Sequence, residues 1–504
     1  MPVEADAIVI GGGPAGATAA TVMAMDGRRV VLIERERFPR YHVGESLLPA
    51  TVQGVCRFLG VEREIARAGF TRKFGATFRW GPSEEPWHVG FAEAVFGGHS
   101  GRPVFAYQVE RSKFDAILLA NARRHGVRVR AGWRAVEAIA EGGRVCGVIA
   151  RDAVGRATEL RAPWVVDASG QAGVLATKLG RRDYDPFFRN IAVFGYFAGG
   201  RRQAGPRRGN VMSAAFRDGW IWYIPLADGL TSVGAVVRPE EAATIRRIGA
   251  PAALARYIAA CPIVAAQLAG VARVARGALG ETRVMKDYSY STRTLWTGGA
   301  ALVGDAAMFI DPLFSSGVHL ATYSGLLAAR AINTCLAGEM DEARAFGEFA
   351  RRYRREFAMF YEFLFAFYEA HLDDTSAFWT ARKMLGIRGA APREALVRLL
   401  AGLGQAEGEP GAMAGVLRSL ERQMDAMRAT MAGRAPGGVR ARELRQRLRT
   451  QARERLSLHA LSETAGARRT GRARTPRPLF TDGLVPSADG LRWRVPRSGS
   501  GASR

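Results

Sequence analysis

Two uninterrupted apolar runs, Ala7–Ile10 and Val30–Ile33, flank the small-residue stretch Ala15–Met25, and the second run closes on Glu34. Runs this short and this apolar predict buried strands with a helix between them, a βαβ unit. Period-two patterning is clearest at Trp220–Pro225. There Trp220, Trp222 and Ile224 share one face, Ile221 and Tyr223 take the other, and Pro225 closes the pairing because it has no N–H to donate. After Gly338, Phe346, Phe349, Tyr353, Phe357, Phe360, Tyr361 and Leu364 recur every three or four residues. That stripe predicts an amphipathic helix packed on a core; Glu348, Glu356, Glu362 and Glu369 among them argue against a membrane-surface helix.

Extended over the whole chain, the pattern is α/β. A Rossmann-like nucleotide-binding domain is assembled from residues 1–75, 106–182 and 281–337, with a helix starting near Ser316–Val318. Residues 76–105 and 183–280 read as strands and turns, an inserted mixed β-sheet on the substrate side. Residues 338–433 read as helical, and 434–504 as an Arg-rich, largely disordered tail in which "RARELRQRLRTQARERL" alone has helical character.

Composition is that of a globular enzyme, 48% hydrophobic and 24% charged, but the net charge is +25. Residues 434–504 hold seventeen Arg against five Asp and Glu, so much of the excess sits in that tail. No nucleic-acid recognition motif accompanies it, and no nucleic-acid partner is expected. Cys56, Cys146, Cys261 and Cys335 show no CxxC pairing, and His42 and His319 have no metal-ligand spacing. No metal is therefore expected, and the thiols suit a reducing cytoplasm. No apolar run reaches the ~20 residues of a transmembrane helix.

The segment between the first strand and helix carries Gly11-x-Gly13-x-x-Gly16. Gly11 permits a tight turn, Gly13 lets backbone approach a pyrophosphate, and Gly16 lets helix and strand pack closely. The helix N-terminus then points its N–H groups at the phosphates, and Glu34 is placed to accept a ribose hydroxyl. This loop alone does not distinguish FAD from NAD.

Two later stretches resemble the glutathione-reductase-type and hydroxybenzoate-hydroxylase-type FAD proteins: "VVDASGQAG" (165–173) and "LWTGGALVGDAAMFIDPLFSSGVHLA" (295–321). The resemblance implies FAD, with Ala15 joining the glycines in the cofactor loop and Asp305 on the ribityl chain. No second GxGxxG has the context for NADPH, so a separate flavin reductase is the implied source of electrons.

The tryptophans at first allow two readings, sheet core or a rigid wall. Trp220-x-Trp222-x-Ile224-Pro225 resembles the WxWxIP signature of flavin-dependent halogenases. "FPRYHVGESLLPA" (38–50) is similar to that family's strap near the flavin, "GFTRKFGATFRWG" (69–81) to the segment holding its lysine, and "FSSGVHLA" (314–321) to the chloride turn of its phenol and pyrrole members. "AYQVERSKFDAILLANARRHGV" (106–127) is similar to the superfamily helix whose Gln and Arg meet the flavin. The implied roles are Lys73 as catalytic lysine, Ser316 and Gly317 as chloride ligands, Trp220, Trp222, Ile224 and Pro225 as substrate barrier, and Glu45, Gln108, Arg111 and Val318 as cofactor contacts. Ser316 also reads as a plain N-cap, and Ser46 as a capping-box start.

The implied chemistry is conversion of chloride or bromide to hypohalous acid by a flavin C4a-hydroperoxide formed from FADH2 and O2. Lys73 then positions the oxidant at one carbon of an aromatic ring. Lysine suits that task because a desolvated ammonium can lose its proton, whereas guanidinium does not. The chain departs from the tryptophan-specific members at Phe314, where they carry a glutamate. A phenol or pyrrole, free or held on a peptidyl or acyl carrier protein, needs that carboxylate less. An FAD monooxygenase or geranylgeranyl-reductase-like oxidoreductase shares the FAD motifs without needing WxWxIP and Lys73.

Overall fold

The computed structural model describes residues 5–80, 85–91, 104–179, 182–369, 478–480 and 482–496. Its first sheet runs Trp296–Thr297, Ala300–Leu302, Trp164–Asp167, Ala7–Ile10, Val30–Glu34, Arg128–Ala131, parallel throughout except at the Trp296 edge. Ala7–Ile10 and Val30–Glu34 are buried along their whole length, which is why they lack polar alternation. Helix Pro14–Met25 joins them. Helix Gly317–Leu336 lies so close against it that a Cβ on Gly325 would stand 2.4 Å from the Ala15 carbonyl. A meander of Arg134–Glu141, Arg144–Arg151 and Ala157–Arg161 completes this expected FAD-type domain.

The second sheet has seven strands, ordered Arg283–Lys286, Ile191–Ala198, Leu230–Val237, Gly219–Pro225, Val211–Phe216, Gly75–Arg79, Trp87–Gly90. It is mixed, because Val211–Ala214 pairs in parallel with Ala76–Arg79 among otherwise antiparallel neighbours. Two features differ from expectation. Arg283–Lys286 belongs to this sheet rather than to the first domain, since it pairs with Ile191–Phe194. Residues 241–267, expected as strand and turn, form the short helices Glu241–Ile248, Ala250–Ala259 and Pro262–Gln267. They cover the face that carries Ile221 and Tyr223 and make a separate core there, while Trp220, Trp222 and Ile224 join the main core.

Helix Glu342–Glu369 buries the predicted aromatic stripe against the first domain, and Phe346 stacks on Trp164 at 4.6 Å. It is therefore part of that domain's core rather than the start of a separate one; residues 370–433 lie outside the described residues. The expectation of a disordered tail fails at residues 482–496. Val485–Pro486 and Trp493–Arg494 pair as a small hairpin, and Trp493 is fully buried. The guanidinium carbons of Arg352 and Arg330 lie 4.9 and 5.3 Å from its ring centroid. Arg492 reaches Asp26 at 2.9 Å and Glu339 at 2.6 Å. One buried indole and a few ion pairs hold this segment, and the scattered arginines around it hid the signal. Trp493→Ala is expected to cost about 3–5 kcal/mol, seen as a lower denaturant midpoint with FAD titrating normally; an unchanged midpoint would refute the clasp.

Candidate active site

The glycine loop opens onto a cavity of about 1010 Å³ whose walls include Gly11, Gly13, Ala15, Glu34, Arg40, Arg111, Trp222, Asp305, Gly317 and Val318. Each glycine is required for a different steric reason. Gly11 has φ +102°, and a Cβ there would stand 2.4 Å from the Ala168 carbonyl oxygen; at Gly16 it would stand 1.9 Å from the Gly11 oxygen. Gly13 differs, because its missing Cβ points into the cavity with only the Arg40 Nη2 atom at 3.4 Å. A helix N-terminus with open space in front of it and an arginine opposite is a cradle for a pyrophosphate. Glu34 accepts from the Gly12 N–H at 2.6 Å and the Glu36 N–H at 2.8 Å, so it also braces the loop.

Arg40 was not singled out by sequence reasoning. Its signal lay in the strap, but one arginine among so many carries little information. Its guanidinium is 3.3 Å from Asp115, which also pairs with Arg111 at 2.8 Å. Arg111 in turn donates to the Val43 and Gly44 carbonyls and so ties the strap to the cavity. Burial pushes the Asp305 carboxyl up to about 6, against the pull of Arg111 and Arg182. The donors, the open cradle and the volume of the cavity fit FAD.

At the far end, Gly317 and Val318 begin their helix at the cavity wall. A Cβ at Gly317 would stand 2.9 Å from the Phe309 ring, so only glycine fits without displacing it. Ser316 is buried beside them and makes no side-chain capping bond. Trp222 faces the cavity, its indole lying across Gly234 so closely that a Cβ on that glycine would meet it at 2.2 Å. Gly234 was missed, although a glycine within an apolar strand is a known mark of close approach. Trp220 stands behind, 6.1 Å from Trp222 between ring centroids. Its Nε1 donates to Tyr368 Oη at 2.5 Å, and that hydroxyl donates to Asp311 at 3.0 Å, one residue before Pro312 of the turn.

Lys73 is 2% exposed. Its Nζ donates to Ser46 Oγ at 2.8 Å, the Leu47 carbonyl at 3.0 Å and Ser315 Oγ at 3.4 Å, and lies 5.5 Å from the Phe91 ring centroid. Burial pushes its pKa down to about 7. Ser315 is left-handed, φ 59°, an uncommon state for a residue with a Cβ, and its hydroxyl bonds the amine just before Ser316 and Gly317. Ser46 thus binds the lysine rather than capping a helix. Beside this group, Phe314 packs on Phe78 and Phe367 at 6.0 and 5.0 Å, and Trp80 on Phe367 and Trp220 at 4.8 and 6.4 Å. These rings form an apolar cluster of which sequence reasoning marked Phe314 and Trp220.

Other candidates stand back from the cavity. Gln108 is buried and donates to the Gly209 carbonyl at 2.9 Å. Glu45 accepts from Tyr196 inside the strap. Ile224 and Pro225 continue the wall strand, Pro225 still paired opposite Thr231. His319 pairs with Glu356 at 2.8 Å, and among the described residues no group of His, Cys, Asp or Glu is placed to hold a metal. No helix among them is long and apolar enough to cross a membrane.

The family model described as tryptophan halogenase matches residues 6–103 and 99–407. A tryptophan 2-halogenase of Chondromyces crocatus is 36% identical over 389 residues, 76% of this chain and 72% of the relative. The flavin-dependent halogenase gsfI of Penicillium aethiopicum is 33% identical over 385 residues, 71% and 70% of the two chains. Among solved structures, the myxobacterial chondrochloren halogenase CndH, described as a new variant of FAD-dependent halogenases, superposes with a TM-score of 0.76 at 47% identity, covering 98% of this chain and 100% of that one. For the cradle, Gly13→Ala is expected to leave thermal stability unchanged and weaken FAD binding at least tenfold, about 1.4 kcal/mol, in a flavin fluorescence titration. Unchanged affinity would place the pyrophosphate elsewhere.

Proposed function

The chain belongs to the tryptophan-halogenase family of flavin-dependent halogenases, and on that premise we propose that it halogenates a phenol or pyrrole ring through Lys73. FAD, when bound in its reduced form, supplies with O2 the activated oxygen that turns chloride or bromide into hypohalous acid. Everything else falls to the protein. The N–H groups at the start of helix Gly317–Leu336, aided by its positive end, hold the halide at Ser316 and Gly317. Trp220 and Trp222 keep the organic ring from the cavity while a triatomic oxidant passes. Lys73 receives the oxidant on the far side. With a pKa near 7, its amine is free to act as a nucleophile at neutral pH, and its position then selects the ring carbon.

The observation that carries this reading is the buried amine hydrogen-bonded to Ser315 on the shoulder of the halide turn. Arginine would fill the same volume without ever offering a lone pair. The preference for phenol or pyrrole rests on Phe314 and its partners Phe78 and Phe367, an apolar wall where a carboxylate would otherwise activate a less electron-rich ring. A separate flavin reductase supplies the reduced cofactor, and the substrate arrives free or on a carrier protein. The four free thiols support a cytoplasmic setting.

Supplied with FADH2, O2 and bromide, the protein is expected to brominate one of a panel of phenols while leaving monochlorodimedone, a trap for free oxidant, unreacted. Hydroxylated product without halide would turn the reading to a monooxygenase. Lys73→Ala and Lys73→Arg are each expected to abolish ring halogenation, a loss of at least about a hundredfold, with FAD still bound; full product from either refutes the role. Because burial lowers this pKa, the amine form gains as pH rises. Product formation at saturating oxidant should therefore climb between about pH 6 and pH 8, and a profile flat across that range would remove the free amine from the mechanism.

A further inference from the structure

On the cavity side of the wall stands a buried acid to which the reading above gives no task. Glu45 is 2% exposed and accepts a hydrogen bond from Tyr196. The Tyr196 oxygen lies 3.0 Å from the Tyr41 oxygen, and Tyr41 lines the same cavity as Gly13, Trp222 and Gly317. A phenol hydroxyl both donates and accepts, so Tyr196, whose O–H lies within reach of Glu45 Oε1 on one side and Tyr41 Oη on the other, can take a proton from the acid and pass its own to Tyr41. Tyr196 shares its sheet face with Phe194, whose ring packs on Trp222 at 5.6 Å. An unbroken chain of exchangeable protons thus runs from the cavity wall through Tyr41 Oη and Tyr196 Oη to Glu45 Oε1.

Halide oxidation needs such a chain. The balance is FADH2 + O2 + X− + H+ → FAD + HOX + H2O: FADH2 and the halide each lose two electrons, O2 takes all four, and one proton is consumed. Halogenation itself, HOX + ArH → ArX + H2O, returns none. Glu34, on the cavity wall, is engaged by two backbone N–H groups. We propose that Glu45 stores the proton that halide oxidation consumes and delivers it to the cavity through Tyr196 and Tyr41, recharging along the same chain between turnovers. This rests on the halogenase reading.

The surroundings disfavour charge on the carboxyl. Burial raises the Glu45 carboxyl above its ordinary value, against the pull of its Tyr196 hydrogen bond and of Arg111. Burial pushes Tyr41 up to about 12 and raises Tyr196 as well. The Arg283 guanidinium carbon, 3.8 Å from the centroid of the Tyr41 ring, is the other charge facing the chain. The relay therefore carries protons between neutral groups rather than storing a phenolate.

The test compares wild type with Glu45→Gln, Tyr196→Phe and Tyr41→Phe, each checked for FAD affinity and melting temperature. In the protein without flavin or substrate, infrared spectroscopy should show a protonated-carboxyl C=O band at neutral pH that disappears in Glu45→Gln. With FADH2, O2 and bromide, hypohalous acid formation should fall roughly a hundredfold, hydrogen peroxide should be released instead, and formic or acetic acid should restore part of the rate. Should Glu45→Gln fail to fold, Tyr196→Phe decides. A folded, flavin-binding variant with the wild-type rate and pH profile overturns the relay, as does absence of the band at neutral pH. Wild type that oxidises no halide removes the halogenase reading together with the relay, whereas active wild type beside unaffected variants removes the relay alone.

Discussion

Lys73 has been taken out of water and given only neutral partners, the Ser46 and Ser315 hydroxyls and the Leu47 carbonyl. Burying a cation without a counter-charge costs several kcal/mol, and an amine can relieve that cost by losing its proton. A pKa near 7 is the result. The partners come from two segments far apart in the chain, the strap and the turn before helix Gly317–Leu336, while the lysine sits on a strand paired with Ala106–Gln108. The lowered pKa is therefore a property of how these segments meet. A carboxylate within reach would hold the ammonium charged; the aromatic wall at Phe314 keeps that neighbourhood apolar.

The same economy governs the wall. One strand presents Trp220 and Trp222 to the main core and Ile221 and Tyr223 to the helices behind it, so two cores share one sheet. Trp222 reaches the cavity edge because Gly234, its cross-strand partner, leaves room for the indole to lie flat. Trp220 is tied through Tyr368 to Asp311, which links the wall, the end of helix Glu342–Glu369 and the turn before helix Gly317–Leu336. The clasp at residues 482–496 acts further back, gripping the two long helices through Trp493, Arg492, Arg330 and Arg352.

Electrostatics divide the molecule in two. The cavity is lined by arginines and by backbone N–H groups, suited to phosphate and halide. Across the wall the groups around Lys73 are hydroxyls, a carbonyl and rings. On the proposed function, anions are held where oxidant is made, and an organic ring is held where it is used. Glu45, in the strap, is a buried acid joined to the cavity wall through Tyr196 and Tyr41.

Much of this was legible in the chain. Glycine spacing, apolar runs and period-two alternation depend on neighbours a few residues apart, so Gly11, Gly13, Gly16, Glu34, Trp220 and Trp222 could be assigned to elements and faces before any coordinates. Motif resemblance added Lys73 and the turn at Ser316 and Gly317. Other features were beyond that reach. Gln108 was expected at the flavin but donates to the Gly209 carbonyl, and Arg40 and Gly234 looked like any other arginine or glycine. Residues 482–496 looked disordered because one buried tryptophan is outnumbered by charge. Local order thus came from the sequence by itself: strands, helix, phosphate loop and the sides of the wall. Tertiary structure alone decided which amine lost its water, which acid was buried and which rings packed beside the lysine, because desolvation depends on groups that arrive from distant parts of the chain.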